Sequence, residues 1–202
     1  MIQRGDTAVD LGCGTGFGTA LISNFCSHVT GVDLDPGVAK LSERWGTKNV
    51  SYYCDNACSP DLLDRVPVRN ADVILSMETI EHLEDYFTYI ENAIEMMSPQ
   101  GVFAVGTPNR TMTYERYPDR RHMDVSHMQE FSAISLGRTL GWYFESVDVY
   151  YQYLPNFWNT FQADRRLYEL DEVSFSKVTQ HPELATEAFG VLAVCRNPRD
   201  DS

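Results

Sequence analysis

Apolar positions in this chain recur in two alternating periods, and the alternation predicts a layered α/β domain. Asp6 to Leu11 reads as a first strand, and Val29, Gly31, Val32 and Asp33 end a second. Between them, Ala20, Leu21 and Phe25 mark the apolar side of a helix. Asp35-Pro36 is an N-cap with proline at the first helical position, followed at helical spacing by Val38, Leu41 and Trp45, which should face a sheet. Val50 to Cys54 gives a third strand. Ala71 to Ser76 is an apolar run suited to a strand covered on both faces. A helix from Glu84 places Phe87, Ile90, Ile94 and Met97 on one stripe, and Ser98-Pro99-Gln100-Gly101 stops it.

The second half is less regular. Val102 to Val105 is a fifth strand, ended by Gly106-Thr107-Pro108-Asn109, and a polar loop is expected from Arg110 to about His127. Ser132 reads as an N-cap, with Phe131 and Leu136 spaced as a hydrophobic staple and Gly141 at C′. Phe144 to Tyr151 alternates as a half-buried strand, and Ala188 to Cys195 supplies the last one. Residues 152–187 read as a helical insertion, aromatic from Asn156 to Leu170. The sum is one domain over residues 1–202. It is a Rossmann-like doubly wound sheet of seven strands, mostly parallel, with the last strand free to return antiparallel.

The chemistry begins at Val9-Asp10-Leu11-Gly12-Cys13-Gly14-Thr15-Gly16-Phe17-Gly18. A strand, a glycine turn and a helix N-terminus form a nucleotide-binding crevice. A dinucleotide fingerprint needs G-x-G-x-x-G, and here the third position is Phe17. The pattern D-x-G-x-G-x-G instead resembles motif I of the class I S-adenosylmethionine-dependent methyltransferases. The resemblance implies a seven-stranded sheet with an antiparallel final strand. It also implies an S-adenosylmethionine site spread over three strand ends: Asp10, Gly12, Cys13, Gly14 and Gly16; Asp33 and Leu34; Asp55, Asn56 and Ala57; with Met77 and Glu78 nearby. Asp33 ends the second strand, where an acid accepts from ribose hydroxyls. The resemblance assigns Asp55 to the adenine amino group, and Asp10 to the amino-acid end of the cofactor or to orienting the glycine loop. The family usually carries helices ahead of the first strand, which here begins almost at once.

Met77-Glu78-Thr79-Ile80-Glu81-His82-Leu83 follows the fourth strand. As the first turn of a helix it would set Glu78, Glu81 and His82 on one face. Two carboxylates and an imidazole suit Mg, Mn or Fe(II). The segment resembles the E-x-x-E-H element of ubiquinone-biosynthesis O-methyltransferases and of small-RNA 3′-end 2′-O-methyltransferases. His127-Met128-Gln129-Glu130-Phe131 resembles an element of the RNA enzymes. Two readings stay open. In one, Glu78, Glu81, His82 and His127 hold Mg or Mn, with His122 competing for the last place. In the other, His82 and Glu81 form a metal-free catalytic site and His127 orders its loop.

Composition narrows the partners. The chain has 202 residues and a formal net charge of −13, from 16 basic and 29 acidic side chains. That balance argues against nucleic acid. Arg110, Arg116, Arg120 and Arg121 are the one basic cluster, enough for a single anionic group. No run of about 18 apolar residues is present, so no membrane span is expected. Five scattered cysteines fit reduced thiols in a cytoplasmic protein. The expected function is methyl transfer to a small-molecule acceptor, on oxygen. The alternatives are an RNA-end enzyme and a cofactor-binding subunit without catalysis, and a homo- or hetero-oligomer fits any of them.

Overall fold

The computed structural model describes residues 2–116, 118–119, 124–153 and 174–199. Its strands are β1 (Thr7–Leu11), β2 (His28–Asp33), β3 (Val50–Cys54), β4 (Ala71–Met77), β5 (Met97–Pro108), β6 (Phe144–Tyr153), β7 (Ser174–Lys177) and β8 (Gly190–Pro198). They form one sheet in the order β3-β2-β1-β4-β5-β8-β6-β7. The pairs from β3 to β5 are parallel, and β8 runs antiparallel between β5 and β6. The final strand therefore returns antiparallel, as expected.

The strand count is eight rather than seven. The extra strand, β7, is a four-residue edge piece paired antiparallel with Tyr150–Tyr153. It replaces part of the helical insertion expected over 152–187; a 3₁₀ turn, Pro182–Thr186, follows it, and residues 154–173, with Phe157, Trp158 and Phe161, lie outside the described residues. Strand β6 runs on to Tyr153, so the insertion is shorter at its start as well.

The helices are α1 (Phe17–Ile22), α2 (Leu41–Trp45), α3 (Leu62–Arg65), α4 (Tyr86–Met96), α5 (Arg110–Arg116) and α6 (Ala133–Leu140). Val38 and Leu41 are buried as the spacing requires, and Asp35 caps the turn before them by accepting from Gly37 N at 2.7 Å. Two helices are rotated from their expected phase. On α1, Leu21 is exposed, as is Phe25 beyond its end, while Thr19 is buried. The Thr19 hydroxyl donates to Asp10 at 2.6 Å, and that bond sets which side of the helix faces the sheet. On α4 the buried face is Tyr89, Ile90, Ala93 and Met96, whereas Phe87 is exposed and Met97 already belongs to β5.

Two further expectations change. The polar loop after Asn109 opens with α5, because the Asn109 carboxamide oxygen accepts from Thr111 N at 3.1 Å. The Arg110 guanidinium lies over the Tyr114 ring, 4.8 Å from its centre, while Arg120 and Arg121 lie outside the described residues. Ser132 caps α6 through a capping box with Ser135, with Phe131 and Leu136 both buried. Gly141 is its C-cap, in right-handed geometry (φ −64°), rather than a left-handed C′ residue. All five cysteines are free. Among the described residues no helix is long and apolar enough to cross a membrane.

The α1 and α4 phases make a paired prediction. Leu21→Gln should shift unfolding free energy by less than about 0.5 kcal/mol, as for an exposed site. Ile90→Ala should cost about 2–5 kcal/mol, from lost burial plus a cavity. Urea denaturation of both variants checks the assignment.

Candidate active site

Parallel strands deliver their carboxyl ends to one edge, and the loops leaving that edge are fastened to neighbouring strands. Gly12 N and Cys13 N donate to Val32 O at 2.8 and 3.0 Å, Asp55 N to Asp33 O at 3.0 Å, and Glu78 N to Gly106 O at 2.9 Å. The glycine turn, the ends of β2 and β3, and the turn after β4 are thereby brought together. The glycines of the turn do different things. At Gly12 (φ +82°) an added Cβ would lie 2.3 Å from Thr79 Oγ1, so this glycine permits close packing on the turn after β4. At Gly14 (φ +50°) a Cβ would meet nothing within 4 Å, so this glycine borders open space. Gly16, at the N-cap of α1, packs against Leu41 and Tyr52.

Asp33 is pre-oriented toward that space. Its Oδ2 accepts from Gly14 N at 2.7 Å and its Oδ1 from Asp35 N at 3.0 Å, which leaves further acceptor capacity on each oxygen. Leu34 and Met77 expose apolar side chains at the ends of β2 and β4. Asp55 is held by Arg65, with Nε at 2.6 Å and Nη2 at 2.9 Å, and the guanidinium keeps its carboxyl below the usual range. Asn56 accepts from Cys58 N at 2.9 Å, and the buried Asn92 of α4 donates to Ala57 O and Ser59 O at 2.8 and 2.9 Å. Asn92 and Arg65 went unread in the sequence, although an asparagine on the inward face of a helix was a visible signal.

Asp10 and Cys13 face inward. Desolvation raises the Asp10 carboxyl, opposed by the Thr19 hydrogen bond. Burial, then the charges of Asp10 and Asp33, push the Cys13 thiol up to about 12, so it is inert as a nucleophile.

The turn after β4 is not the first turn of an α-helix. Glu78 has left-handed backbone (φ +54°) and precedes a 3₁₀ turn over Ile80–His82, so Glu78, Glu81 and His82 do not share a helical face. Glu81, His82 and His127 nevertheless converge, with one ligand atom from each lying within 4.8 Å of the others. The segment carrying His127 is tied down by Met128 N and Gln129 N, which donate to Glu81 O at 2.9 and 3.2 Å. The imidazoles meet edge to face at 4.9 Å.

Each imidazole is oriented from behind. His82 Nδ1 faces Ser126 O at 3.2 Å, and His127 Nδ1 faces Glu130 Oε1 at 2.8 Å. A carbonyl or carboxylate oxygen only accepts, so Nδ1 carries hydrogen in both rings and Nε2 is the atom left for ligation or proton transfer. Glu81 is fully buried. Its Oε2 accepts from Thr107 Oγ1 at 2.9 Å, whereas Oε1 has no hydrogen-bond partner and lies 3.9 Å from His82 Nε2. Glu78 stands beside the trio with one flank in solvent. Desolvation first, then the Glu81 charge, push its carboxyl up to about 7, with His127 opposing. Thr107 and Glu130 were not singled out as site residues from sequence. His122 lies outside the described residues.

The buried Asp10 makes a signed prediction. Its carboxyl is raised above 3.8, so the folded state holds its proton more tightly than the unfolded state. Its contribution therefore favours folding at low pH and is lost as pH rises through the folded value. Asn cannot ionise and still accepts from Thr19. The stability of Asp10→Asn relative to the parent should grow as pH rises from below 3.8 in chemical denaturation, and a difference constant with pH would contradict the argument.

Comparisons with known proteins agree with this geometry. Residues 9–105 match a family model described as a methyltransferase domain. A protein of Mycolicibacterium smegmatis named "Probable S-adenosylmethionine-dependent methyltransferase" is 30% identical over 137 residues, covering 67% of this chain and 50% of that protein. A ubiquinone biosynthesis O-methyltransferase of Paramagnetospirillum magneticum is 34% identical over 111 residues, covering 54% of this chain and 43% of that protein. The chain thus spans about half the length, or less, of these curated relatives. Among solved structures, a methyltransferase of Thermotoga maritima described as a possible histamine N-methyltransferase superposes with TM-score 0.68 at 17% identity, covering 97% of this chain and 84% of that one. The N-methyltransferase NodS of Bradyrhizobium japonicum, in complex with S-adenosyl-L-homocysteine, superposes with TM-score 0.61 at 19% identity, covering 97% and 80%. Residues 9–105 are a methyltransferase domain, and the chain as a whole shares its fold with solved S-adenosylmethionine-dependent methyltransferases.

Proposed function

We propose that the chain transfers a methyl group from S-adenosylmethionine to an oxygen of a small-molecule acceptor, with Mg or Mn held by Glu81, His82 and His127. The observation that carries this reading is the buried Oε1 of Glu81, which has no partner and lies beside His82 Nε2. An unpartnered carboxylate oxygen inside a protein is costly unless a cation or a proton donor completes it. Two oriented imidazoles and one carboxylate form an N/O donor set suited to Mg, Mn or Fe(II). Similarity to ubiquinone biosynthesis O-methyltransferases supports oxygen as the methylated atom.

The space beside Gly14 fits a nucleoside, because a Cβ there would meet nothing. Asp33 takes the ribose hydroxyls on its remaining lone pairs, and Leu34 and Met77 flank the purine. Asp55 shares its carboxylate between Arg65 and the adenine amino group, with Asn56 and Ala57 contributing backbone. Asp10 stays behind the loop and orients it.

The sulfonium donor is already activated, so the protein's work is alignment and proton removal. Alignment of the reacting atoms can supply about 7–11 kcal/mol of the barrier. A divalent ion, when bound, lowers the pKa of an acceptor hydroxyl. With the ion bound, His82 Nε2 would be spent on ligation, and Glu78, whose carboxyl is pushed up to about 7, would take the acceptor's proton; without an ion, His82 Nε2, its ring set by Ser126 O, is the base. A second reading, transfer to an RNA 3′ end, is favoured by the buried His127–Glu130 pair, and the net charge of −13 opposes it.

Asp33→Ala should weaken S-adenosylhomocysteine binding at least about tenfold in calorimetry, since it removes charge-assisted bonds. Unchanged affinity would remove the ribose assignment. A radiolabelled-methyl screen over small hydroxylated acceptors and a short single-stranded RNA separates the two readings. With an acceptor found, chelator should abolish transfer and Mg or Mn restore it, and Glu81→Gln should lose that restoration. Full activity in chelator leaves His82 as a base alone. Tight cofactor binding with no turnover on any acceptor would mark a non-catalytic subunit.

A further inference from the structure

The opposite, amino-terminal edge of the sheet holds a second concavity of about 290 Å³, formed by the starts of β1, β2 and β3 and by residues 67–71 ahead of β4. Because β1 to β4 are parallel, this edge lies at the far end of the strands from Gly14, Asp33 and Glu78. The same sheet face changes character along its length. Val9, Leu11 and Val32 are core residues nearer the carboxyl end. Toward the amino end the corresponding positions are Thr7, His28 and Thr30, and Thr30 is registered against Ser51. Helix α3 is only four residues long, and the strand before it ends in Cys54, so residues 67–71 wall this end in place of a helix.

The wall is chemically one-sided. It carries Arg69 and His28 as nitrogen donors, the Asn70 amide, and the hydroxyls of Thr30, Ser51 and Tyr53. None of its residues is acidic, in a chain with 29 Asp and Glu. Arg69 uses Nη1 on the neighbouring Val68 O at 2.9 Å, which leaves its other N–H groups to point elsewhere. Asp72, one residue past the wall, accepts from Thr7 N and Thr7 Oγ1 at 2.8 and 2.9 Å, so its Oδ2 is already engaged. Asn70 holds a left-handed backbone (φ +59°), a local strain that fixes the bend of the wall.

We infer that this concavity is a second ligand site, for a small molecule that carries a carboxylate or phosphate group beside hydroxyls. The oxyanion meets Arg69, His28 and the Asn70 amide, and the hydroxyls meet Thr30 and Ser51. Its volume is at the low end of the roughly 300–1,000 Å³ typical of small-molecule pockets, which suits a compact metabolite and not a nucleotide. The inference is independent of the proposed methyl transfer.

Calorimetry on the full chain, presaturated with S-adenosylhomocysteine, tests it with inorganic phosphate, malonate and citrate as probes. Saturable binding of at least one probe is expected, and the preferred probe tells phosphate from carboxylate. Arg69→Ala should raise its Kd about tenfold or more, as for loss of a charge-assisted bond, and Ser51→Ala should raise it less. Arg44→Ala, an exposed arginine over Trp45, should leave it unchanged. The inference fails if no probe saturates, or if Arg69→Ala and Arg44→Ala weaken binding equally, which would be general surface attraction. It fails also if binding appears only without S-adenosylhomocysteine, which would move the anion to the carboxyl edge. Thermal midpoints of the variants, expected near the parent's, keep a folding defect from passing for lost binding.

Discussion

The loops after β1, β3 and β4 each begin with a backbone hydrogen bond to the strand next door, and the site depends on that constraint. A buried N–H must find an acceptor, so the first residue off a parallel strand borrows a carbonyl near the end of its neighbour. Gly12 and Cys13 take Val32 O, Asp55 takes Asp33 O, and Glu78 takes Gly106 O. These bonds leave the loops little freedom to drift apart. They bring the glycine turn, Asp33 and the turn after β4 into one crevice before any side chain contributes.

The glycine turn and the strands around it were legible because few alternatives fit them. Asp10-x-Gly-x-Gly-x-Gly admits one geometry, and β1 to β4 end at clear stops, whereas β5 runs from Met97 to Pro108 through the Ser98–Gly101 and Gly106–Pro108 stretches expected to bound it. Helix phase was harder. The apolar count on α1 pointed to Leu21 and Phe25, but one hydroxyl, Thr19, was drawn inward by Asp10 and turned the helix. On α4 the strand that follows claims Met97, which shifts the buried stripe onto Tyr89, Ile90, Ala93 and Met96. Strand β7 is edge pairing against β6, a long-range choice that a four-residue segment with one apolar side chain does not announce. Helix α5 depends on the Asn109 cap, hidden in a stretch whose polarity suggested a loop.

The candidate site was legible in its residue types and not in its arrangement. Glu81 and His82 stood out as an acidic-imidazole pair after the fourth strand. Their supposed helical face with Glu78 does not form, since Glu78 is in left-handed backbone and the turn is 3₁₀. His127 joins them from 45 positions along the chain through main-chain bonds to Glu81 O, which no side-chain motif encodes. Thr107, Glu130 and Ser126 set the donors of that cluster, and each is an ordinary polar residue until its neighbour is known. Asn92 was more readable in principle, because a polar residue on the inward face of α4 must satisfy something there.

Two of the buried acids at this edge, Asp10 and Glu81, have their solvation resolved in opposite ways, and the contrast bears on their roles. Asp10 is desolvated but has the Thr19 hydroxyl on Oδ2, and the bond is short and local. It ties the first turn of α1 to β1, which is work for a positioning residue. Glu81 satisfies only one oxygen, through Thr107, and leaves the other facing an imidazole whose remaining nitrogen is also unspent. A fold under pressure for stability alone would fill that position with an apolar side chain, since a half-satisfied buried carboxylate is worse than none. Its place beside two histidines oriented from behind fits the proposal that a cation or a proton donor completes it. That asymmetry, more than the motif, is what supports assigning the proposed chemistry to Glu81 and the positioning of the loop to Asp10.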